Sequence, residues 1–256
     1  MRKKYNGLPR RGKRHVLGYI LASAAALLIV FSGSLWLTLP DVSDLKTKNP
    51  KTTSLIRLRL ARSGTKRKAA PVRIDWVAFD QIPPLLKKCV LVSEDASFYD
   101  HKGVDYAELK ASIRRDIREG RLARGGSTVT QQLAKNLYLS TSKSFVRKLR
   151  EFLIARRLER ALSKDRIFHI YLNVIEWGPG VYGVQAAARH WFGKDADGLT
   201  LEEMVRLAAI IPRPLRSDPR RNDGWMKFKG RWIADTLQTV GAIGPDDHQA
   251  LVRAFE

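Results

Sequence analysis

Three short stretches of this chain carry side chains whose types and spacing could do chemistry. The first is EDASFYDHKGVD at 94–105. Written as a helix, it places Glu94, Phe98 and His101 on one face, with Asp95 pointing about 100° away. A carboxylate beside an aromatic ring and a second acid tends to titrate high, which suits a general base. Read alone, the stretch is equally an exposed helical turn with ordinary acids.

The second is GGSTVTQQLAKNLYLS at 125–140. Two glycines feed a helix start whose free N–H groups, with the hydroxyls of Ser127 and Thr128, form a ready anion site. Gln132, Lys135 and Asn136 follow within two turns and can line the same groove. The alternative is a capped helix with a surface lysine, and the run of hydroxyls and amides weighs against it. The third is RKLRE at 147–151. Arg147 and Glu151 are four apart and share a helical face. As a surface pair they contribute about 0.3–0.5 kcal/mol. The functional alternative is a carboxylate among phosphate-binding cations, placed to meet a metal ion or a water. Ser63-x-x-Lys66 and Ser140-x-x-Lys143 match a serine–lysine pattern but lack its partner motifs. His169 and His190 have no third ligand nearby in sequence.

Composition limits what these stretches can serve. The chain has 256 residues, a net charge of +22 and 44% hydrophobic residues, so it is basic and able to build a core. One cysteine, Cys89, excludes an intrachain disulfide framework, and five histidines without an HExxH or paired CxxC argue against a zinc enzyme. Residues 1–39 hold seven Lys or Arg and no acid, and Val16 to Leu39 runs 24 residues without a charge. As a helix that run spans about 36 Å, against about 30 Å of bilayer hydrocarbon. Tyr19 and Trp36 lie near its ends, as interfacial aromatics do. It is longer than a signal-peptide apolar region of about 7–15 residues. The basic flank precedes the span, so the expected topology is a single-pass inner-membrane protein with a cytoplasmic N-terminus and the rest outside. An exported, tethered basic domain points to anionic lipid and lipid-linked phosphate, not nucleic acid.

The expected organisation is a basic tail at 1–15, an anchor at 16–39, a basic linker at 40–74 and one domain at 75–256. The fold class is all-α. Pro83-Pro84 opens a helix carrying Leu86, Cys89 and Val90. Asp105 with Glu108, Thr128 with Gln131, Ser163, and Thr200 with Glu203 read as caps. Leu109 and Ile113 follow the first of these, with a stop at Gly120. Residues 145–162 form one amphipathic helix, and 225–240 and 245–255 two closing ones. Strand signals are limited to Val72–Ile74 and Val181–Tyr182, enough for a small hairpin.

Together with YLNVIEWGPGVYGVQAAARHWFGK at 171–194 and LAAIIPRP at 207–214, the three stretches resemble glycosyltransferase family 51, the peptidoglycan transglycosylase module of penicillin-binding proteins. The resemblance covers about residues 75–217 in order, and the anchor fits the monofunctional type. It implies a lysozyme-like, two-lobed helical domain that polymerises lipid II onto a growing lipid-linked glycan strand. It implies Glu94 as catalytic base and Glu151 as second acid. Ser127, Thr128, Gln132, Lys135, Asn136 and Arg147 would line the diphosphate-sugar site, and Asp95, Phe98 and His101 would hold the loop around Glu94. It implies a divalent cation, Mg2+ or Mn2+, with Glu151 as its protein ligand, and no organic cofactor. Partners would be membrane lipids and proteins of wall synthesis or division. One departure stands out: His169 occupies a position where the family usually has an acid.

The chemistry agrees with those residues. A sugar 4-hydroxyl is a poor nucleophile and needs a base, whereas a diphosphate leaves readily once its charge is neutralised. Single displacement inverts the centre and gives a β-1,4 bond. Two other readings fit parts of the pattern. One is a lysozyme-like hydrolase of the same polymer, using two carboxylates. The other is a non-enzymatic, membrane-tethered basic module.

Overall fold

A computed structural model describes residues 10–62, 74–119, 126–142 and 144–256. The chain divides into two units, residues 1–40 and 41–256. The first holds helix α1 (Arg10–Leu37). Within it, Val16–Leu37 has a mean hydropathy of 2.2 and is long and apolar enough to cross a bilayer. The expected span of 16–39 ends two residues earlier as a helix.

The second unit is mainly helical, and the all-α expectation holds. Its start corrects the linker expected at 40–74. Residues 43–46 form a single 3-10 turn, and α2 (Ser54–Arg62) follows it. The Thr53 hydroxyl accepts the Ile56 N–H at 3.1 Å and starts α2, whose Leu55 and Ile56 are buried. Arg59 reaches Glu176 through two nitrogens, at 2.8–3.2 Å. Arg166 binds the carbonyls of Leu45 and Lys48 at 2.7 and 2.9 Å. The arginine-rich composition of this stretch hid two buried apolar side chains and a long-range ion pair. Residues 63–73, including Val72, Arg73, Ser63 and Lys66, lie outside the described residues.

Helix α3 (Pro84–Glu94) begins at Pro84, whose missing N–H is not needed in a first turn. Leu86, Cys89 and Val90 on it are fully buried. Burial pushes the Cys89 thiol up to about 12, so this cysteine packs and does not react. The helix stops at Glu94, because Asp95 turns to φ −167° and ψ 76°. The shared helical face expected for Glu94, Phe98 and His101 is therefore absent. Residues 95–104 are a loop, followed by α4 (Tyr106–Glu119). Asp105 caps α4 by accepting the Glu108 N–H at 2.8 Å. Leu109 and Ile113 on α4 are exposed, and the expected stop at Gly120 lies outside the described residues.

Helix α5 (Val129–Tyr138) starts with the expected capping box between Thr128 and Gln131. Ser144 caps α6 (Phe145–Ala161), and Ser163 caps α7 (Lys164–Val174). Strands β1 (Glu176–Gly178) and β2 (Val181–Tyr182) then pair antiparallel. The Val181–Tyr182 strand thus finds its partner immediately before it in sequence. Helix α8 (Val184–Phe192) leads to α9 (Leu201–Ile210), which opens on the Thr200–Glu203 capping box. Helices α10 (Gly224–Thr239) and α11 (Pro245–Ala254) close the fold.

Two helix groups result. Helix α5 packs on α2, α6 and α7, while α3 packs on α9 and α10, and α10 on α9 and α11. Arg206 of α9 ties the second group together. It is buried and binds Glu202, Asn222 and the carbonyls of Pro219 and Ala254, over the Phe255 ring. Gly230 lets α11 close on α10, because a Cβ there would stand 2.6 Å from the Phe255 ring. Glu94, at the end of α3, faces the start of α5 across the seam between the groups.

Candidate active site

The loop after α3 is fixed before any substrate binds. Asp95 is buried and accepts the Val129 N–H, in the first turn of α5, at 2.9 Å. Gly103 N–H donates to His101 Nδ1 at 3.1 Å, which leaves Nε2 as the nitrogen that donates to Asp95, at 3.0 Å. Gly103 sits at φ +87°, and a Cβ there would meet Glu159 at 2.9 Å, so the turn requires glycine. Phe98 is fully buried, edge-on to His101 and against Phe168, with the Lys164 ammonium 4.3 Å from its ring centre. These three residues brace the loop, although no helix arranges them.

Glu94 stands where two cavities meet. The larger, about 710 Å³, is lined among others by Arg59, Gln132, Lys135, Asn136, Tyr171 and Lys229. The smaller, about 450 Å³, has Asp95, Asp105, Glu108, Thr128 and Trp232 in its wall. Ser93, Glu94, Gly126 and Ser127 line both. Around the carboxylate, Gln132 Nε2 donates to Oε2 at 2.9 Å and the Ser93 hydroxyl to Oε1 at 3.3 Å. Tyr171 donates its hydroxyl to Gln132 Oε1 at 3.0 Å and so orients that amide. The Glu94 side chain is half-buried and lines both cavities. Burial pushes it above the ordinary glutamate range; Gln132, Lys229 and Ser93 pull it back, and Asp95 adds a smaller push. Burial also raises the Tyr171 phenol well above its usual value, helped by Glu94 and Asp95, which keeps it a donor.

The cations sit on the other side. Glu151 is buried, and Arg147 and Lys148 each bind one of its oxygens. The Arg147–Glu151 pair is thus part of a triad around one buried carboxylate, with Lys148 itself exposed. Lys148 also donates to Ser127 Oγ at 2.9 Å, which ties α6 to the start of α5. Lys135 projects into the open larger cavity, while Asn136 beside it is buried in the wall. Enclosure by the cleft walls lowers the Lys135 ammonium from its usual range; Glu151 opposes this, and Arg147, Lys148 and Arg59 add to it. That crowding of like charge is what an arriving anion relieves.

Three expectations change here. Thr128 spends its hydroxyl inside the fold, donating to the Gly103 carbonyl at 2.8 Å and accepting the Gln131 N–H at 3.2 Å. It positions α5 and faces the smaller cavity. Arg147 faces Glu151 and is not among the residues lining the larger cavity. A metal ion does not fit Glu151, because both its oxygens are taken by cations, and no three His, Cys, Asp or Glu side chains cluster among the described residues.

Sequence reasoning missed Arg59, Lys148, Tyr171 and Lys229. Lys148 had a local signal, three residues before Glu151. Arg59, Tyr171 and Lys229 reach the site only through tertiary packing. His169, in place of the usual acid, accepts from Arg166 at Nδ1 (3.2 Å) and donates from Nε2 to the Val77 carbonyl at 2.8 Å. It anchors residues 74–79 against α7 and lies outside the site.

A helical domain with one half-buried carboxylate between an acid-lined and a cation-lined cavity suits transfer of a sugar from an anionic leaving group. The comparisons agree. The sequence profile of the Transglycosylase family matches residues 63–238, and the chain belongs to that family. It is 43% identical over 192 residues to a biosynthetic peptidoglycan transglycosylase of Nitrosospira multiformis, covering 75% of this chain and 84% of that one. The protein of the same description from Chromobacterium violaceum is 41% identical over 225 residues, 88% of this chain and 97% of its own length. That of Laribacter hongkongensis is 41% identical over 226 residues, 88% and 99%.

Proposed function

We propose that this transglycosylase is a peptidoglycan glycosyltransferase that polymerises lipid II, with Glu94 as the base and the larger cavity as the seat of the departing diphosphate. The observation that carries this reading is the position of Glu94 in the wall shared by both cavities. The 4-hydroxyl of the incoming N-acetylglucosamine approaches from the smaller cavity. Its oxygen attacks the anomeric carbon of the growing strand while the bond to the lipid diphosphate breaks. The hydroxyl proton passes to Glu94, and the diphosphate takes the bonding electrons. Attack opposite the leaving group inverts the centre and yields the β-1,4 link.

Lys135, with Gln132, Asn136 and Ser127 beside it, meets the growing negative charge in the larger cavity. Arg147 and Lys148 act one layer behind: they neutralise buried Glu151 and brace Ser127. Asp95, His101 and Phe98 hold the carboxylate's loop. A divalent cation enters this reading only as a companion of the diphosphate, with no step assigned to it. The apolar helix at Val16–Leu37 keeps the domain on the inner membrane beside its lipid-linked substrate, with the N-terminus cytoplasmic and the domain outside.

The test is incubation of purified full-length protein with lipid II, with Glu94→Gln as control. Polymer from the native chain and none from the variant supports the reading. Cleavage of finished strands without polymer supports a hydrolase. Neither reaction leaves a tethered binding module.

A further inference from the structure

Helix α10 lies beyond the stretches that carried the family resemblance, yet Trp225, Lys229 and Trp232 on it line the two cavities. Lys229 leaves α10 and donates to the Ser93 carbonyl at 3.1 Å, across 136 residues of sequence. That carbonyl belongs to the last turn of α3, directly before Glu94. The same ammonium lies 3.8 Å from the centre of the Trp232 ring, one turn along α10. It lines the larger cavity with Glu94 and faces the Glu94 carboxylate without closing an ion pair on it. Gly230, pressed against Phe255, fixes the helix at this point.

We propose that Lys229 is a positioning residue for Glu94: it pins the C-terminal turn of α3 and supplies the fixed positive charge that the base faces from α10. The inference rests on the reading of Glu94 as the base. A lysine placed this way does two things. Its hydrogen bond satisfies one of the carbonyls that a helix end leaves open, so the turn carrying Glu94 does not fray. Its charge favours the carboxylate over the acid, against the burial that favours the acid. Because it bonds the backbone and not the carboxylate, both carboxylate oxygens stay free of a cation and one can take a proton. Glu151 shows the contrast, since its two oxygens are saturated by Arg147 and Lys148.

The other groups around Glu94 do not duplicate this charge. Helix α5 presents the Gln132 amide and, further into the cavity, Lys135. Helix α7 presents the Tyr171 phenol through Gln132, and α9 presents the Ala208 carbonyl to Ser93. Asp95, next in sequence, pushes the opposite way. For Lys229 itself, burial lowers the ammonium from its usual range and Glu94 restores it. The two groups hold each other in their charged forms.

The test is the pH dependence of kcat/KM on lipid II for native protein, Lys229→Met and Lys229→Arg. Methionine keeps an unbranched apolar stem for Trp232 and removes the charge. The acid limb should move to higher pH by about one unit, as expected on losing a nearby opposite charge. The rate loss should then be about tenfold on that limb and shrink as pH rises. Lys229→Arg should restore the native profile. An unmoved acid limb, or a loss equal at every pH, overturns the inference. If the methionine variant fails to fold, Lys229→Gln and Lys229→Arg carry the same comparison of charge absent and charge kept. Glu94→Gln run alongside separates the two ideas. Activity in that variant removes the base, whereas an inactive Glu94→Gln with an unmoved limb in Lys229→Met removes only the role of Lys229.

Discussion

The Gln132 amide donates to Glu94 Oε2 at 2.9 Å, and the Tyr171 hydroxyl, 3.0 Å from the other end of that amide, dictates which end faces the carboxylate. A donor on the carboxylate favours its charged form, so it counteracts the burial that would protonate Glu94. Gln132→Leu should therefore move the acid limb of kcat/KM to higher pH and lower the neutral rate by about 10- to 100-fold, the scale of a hydrogen bond to a charged group. Tyr171→Phe only frees the amide to turn, and about a fivefold loss is expected, near 1 kcal/mol. Steady-state rates from pH 5 to 9 check both, and equal losses from the two variants would contradict the ordering.

Glu94→Gln should abolish polymerisation by at least about 10²-fold, as for a lost general base. The same change should stabilise the fold at neutral pH. The sign follows from burial: the folded state raises the Glu94 titration point above its unfolded value, so the charged form opposes folding at any pH above that raised point. As pH falls through it towards the ordinary glutamate range, the native chain takes up a proton and the cost fades. The variant's advantage in Tm should thus be present at pH 8 and vanish near pH 4.5. Paired thermal melts at the two pH values measure it. A native chain more stable than the variant at pH 8 would mean that Glu94 is not strained by its burial.

The cations divide by what they face. Lys135→Ala should raise the barrier by about 2–4 kcal/mol, the scale of one preorganised donor, with less effect on substrate binding. Arg147→Ala acts on the fold instead. Its partner Glu151 is only 4% exposed at the side chain, so the loss leaves a buried carboxylate with Lys148 alone. About 3 kcal/mol of stability is expected to go, far more than the roughly 0.5 kcal/mol of a surface pair. Lys148→Ala should cost both stability and rate, because Lys148 also braces Ser127. Denaturant melts alongside lipid II turnover separate these cases. Stability unchanged in Arg147→Ala would return the pair to the helix surface.

Local rules made the helix starts legible, because a cap is decided within four residues. Thr128 with Gln131, Thr200 with Glu203, and Ser163 all cap where their spacing places them. The same locality misled at Glu94. The residues 94–101 suit a helix by spacing, but Asp95 leaves α3 to hold α5 and His101, and tertiary hydrogen bonds override the periodicity. Helix α2 was unreadable for a related reason. Its arginines look like a solvated run until Glu176, 117 residues on, takes Arg59. Ser127, Gln132, Lys135 and Asn136 line one cavity with Glu94, since they flank the seam between α3 and α5, whereas Arg147 and Glu151 stand on α6. Lys229 carried no sequence signal at all, because its meaning lies in the carbonyl of Ser93.

Topology offers the last test, and the charges make it a quantitative one. Seven Lys or Arg precede the apolar run, at positions 2, 3, 4, 10, 11, 13 and 14. Five follow within about 20 residues of its end: Lys46, Lys48, Lys51, Arg57 and Arg59. The bias towards a cytoplasmic N-terminus is therefore real but narrow. Arg59 is also held by Glu176 in the folded domain, although orientation is decided by the charges rather than their later pairing. A reporter fused after Glu256 should be active only in the exported compartment in the native chain. Replacing the seven N-terminal basic residues with Gln should reverse the charge difference and retain a measurable fraction of the reporter on the cytoplasmic side. A native fusion active in the cytoplasm would overturn the orientation and with it the access of Glu94 to lipid II on the outer face.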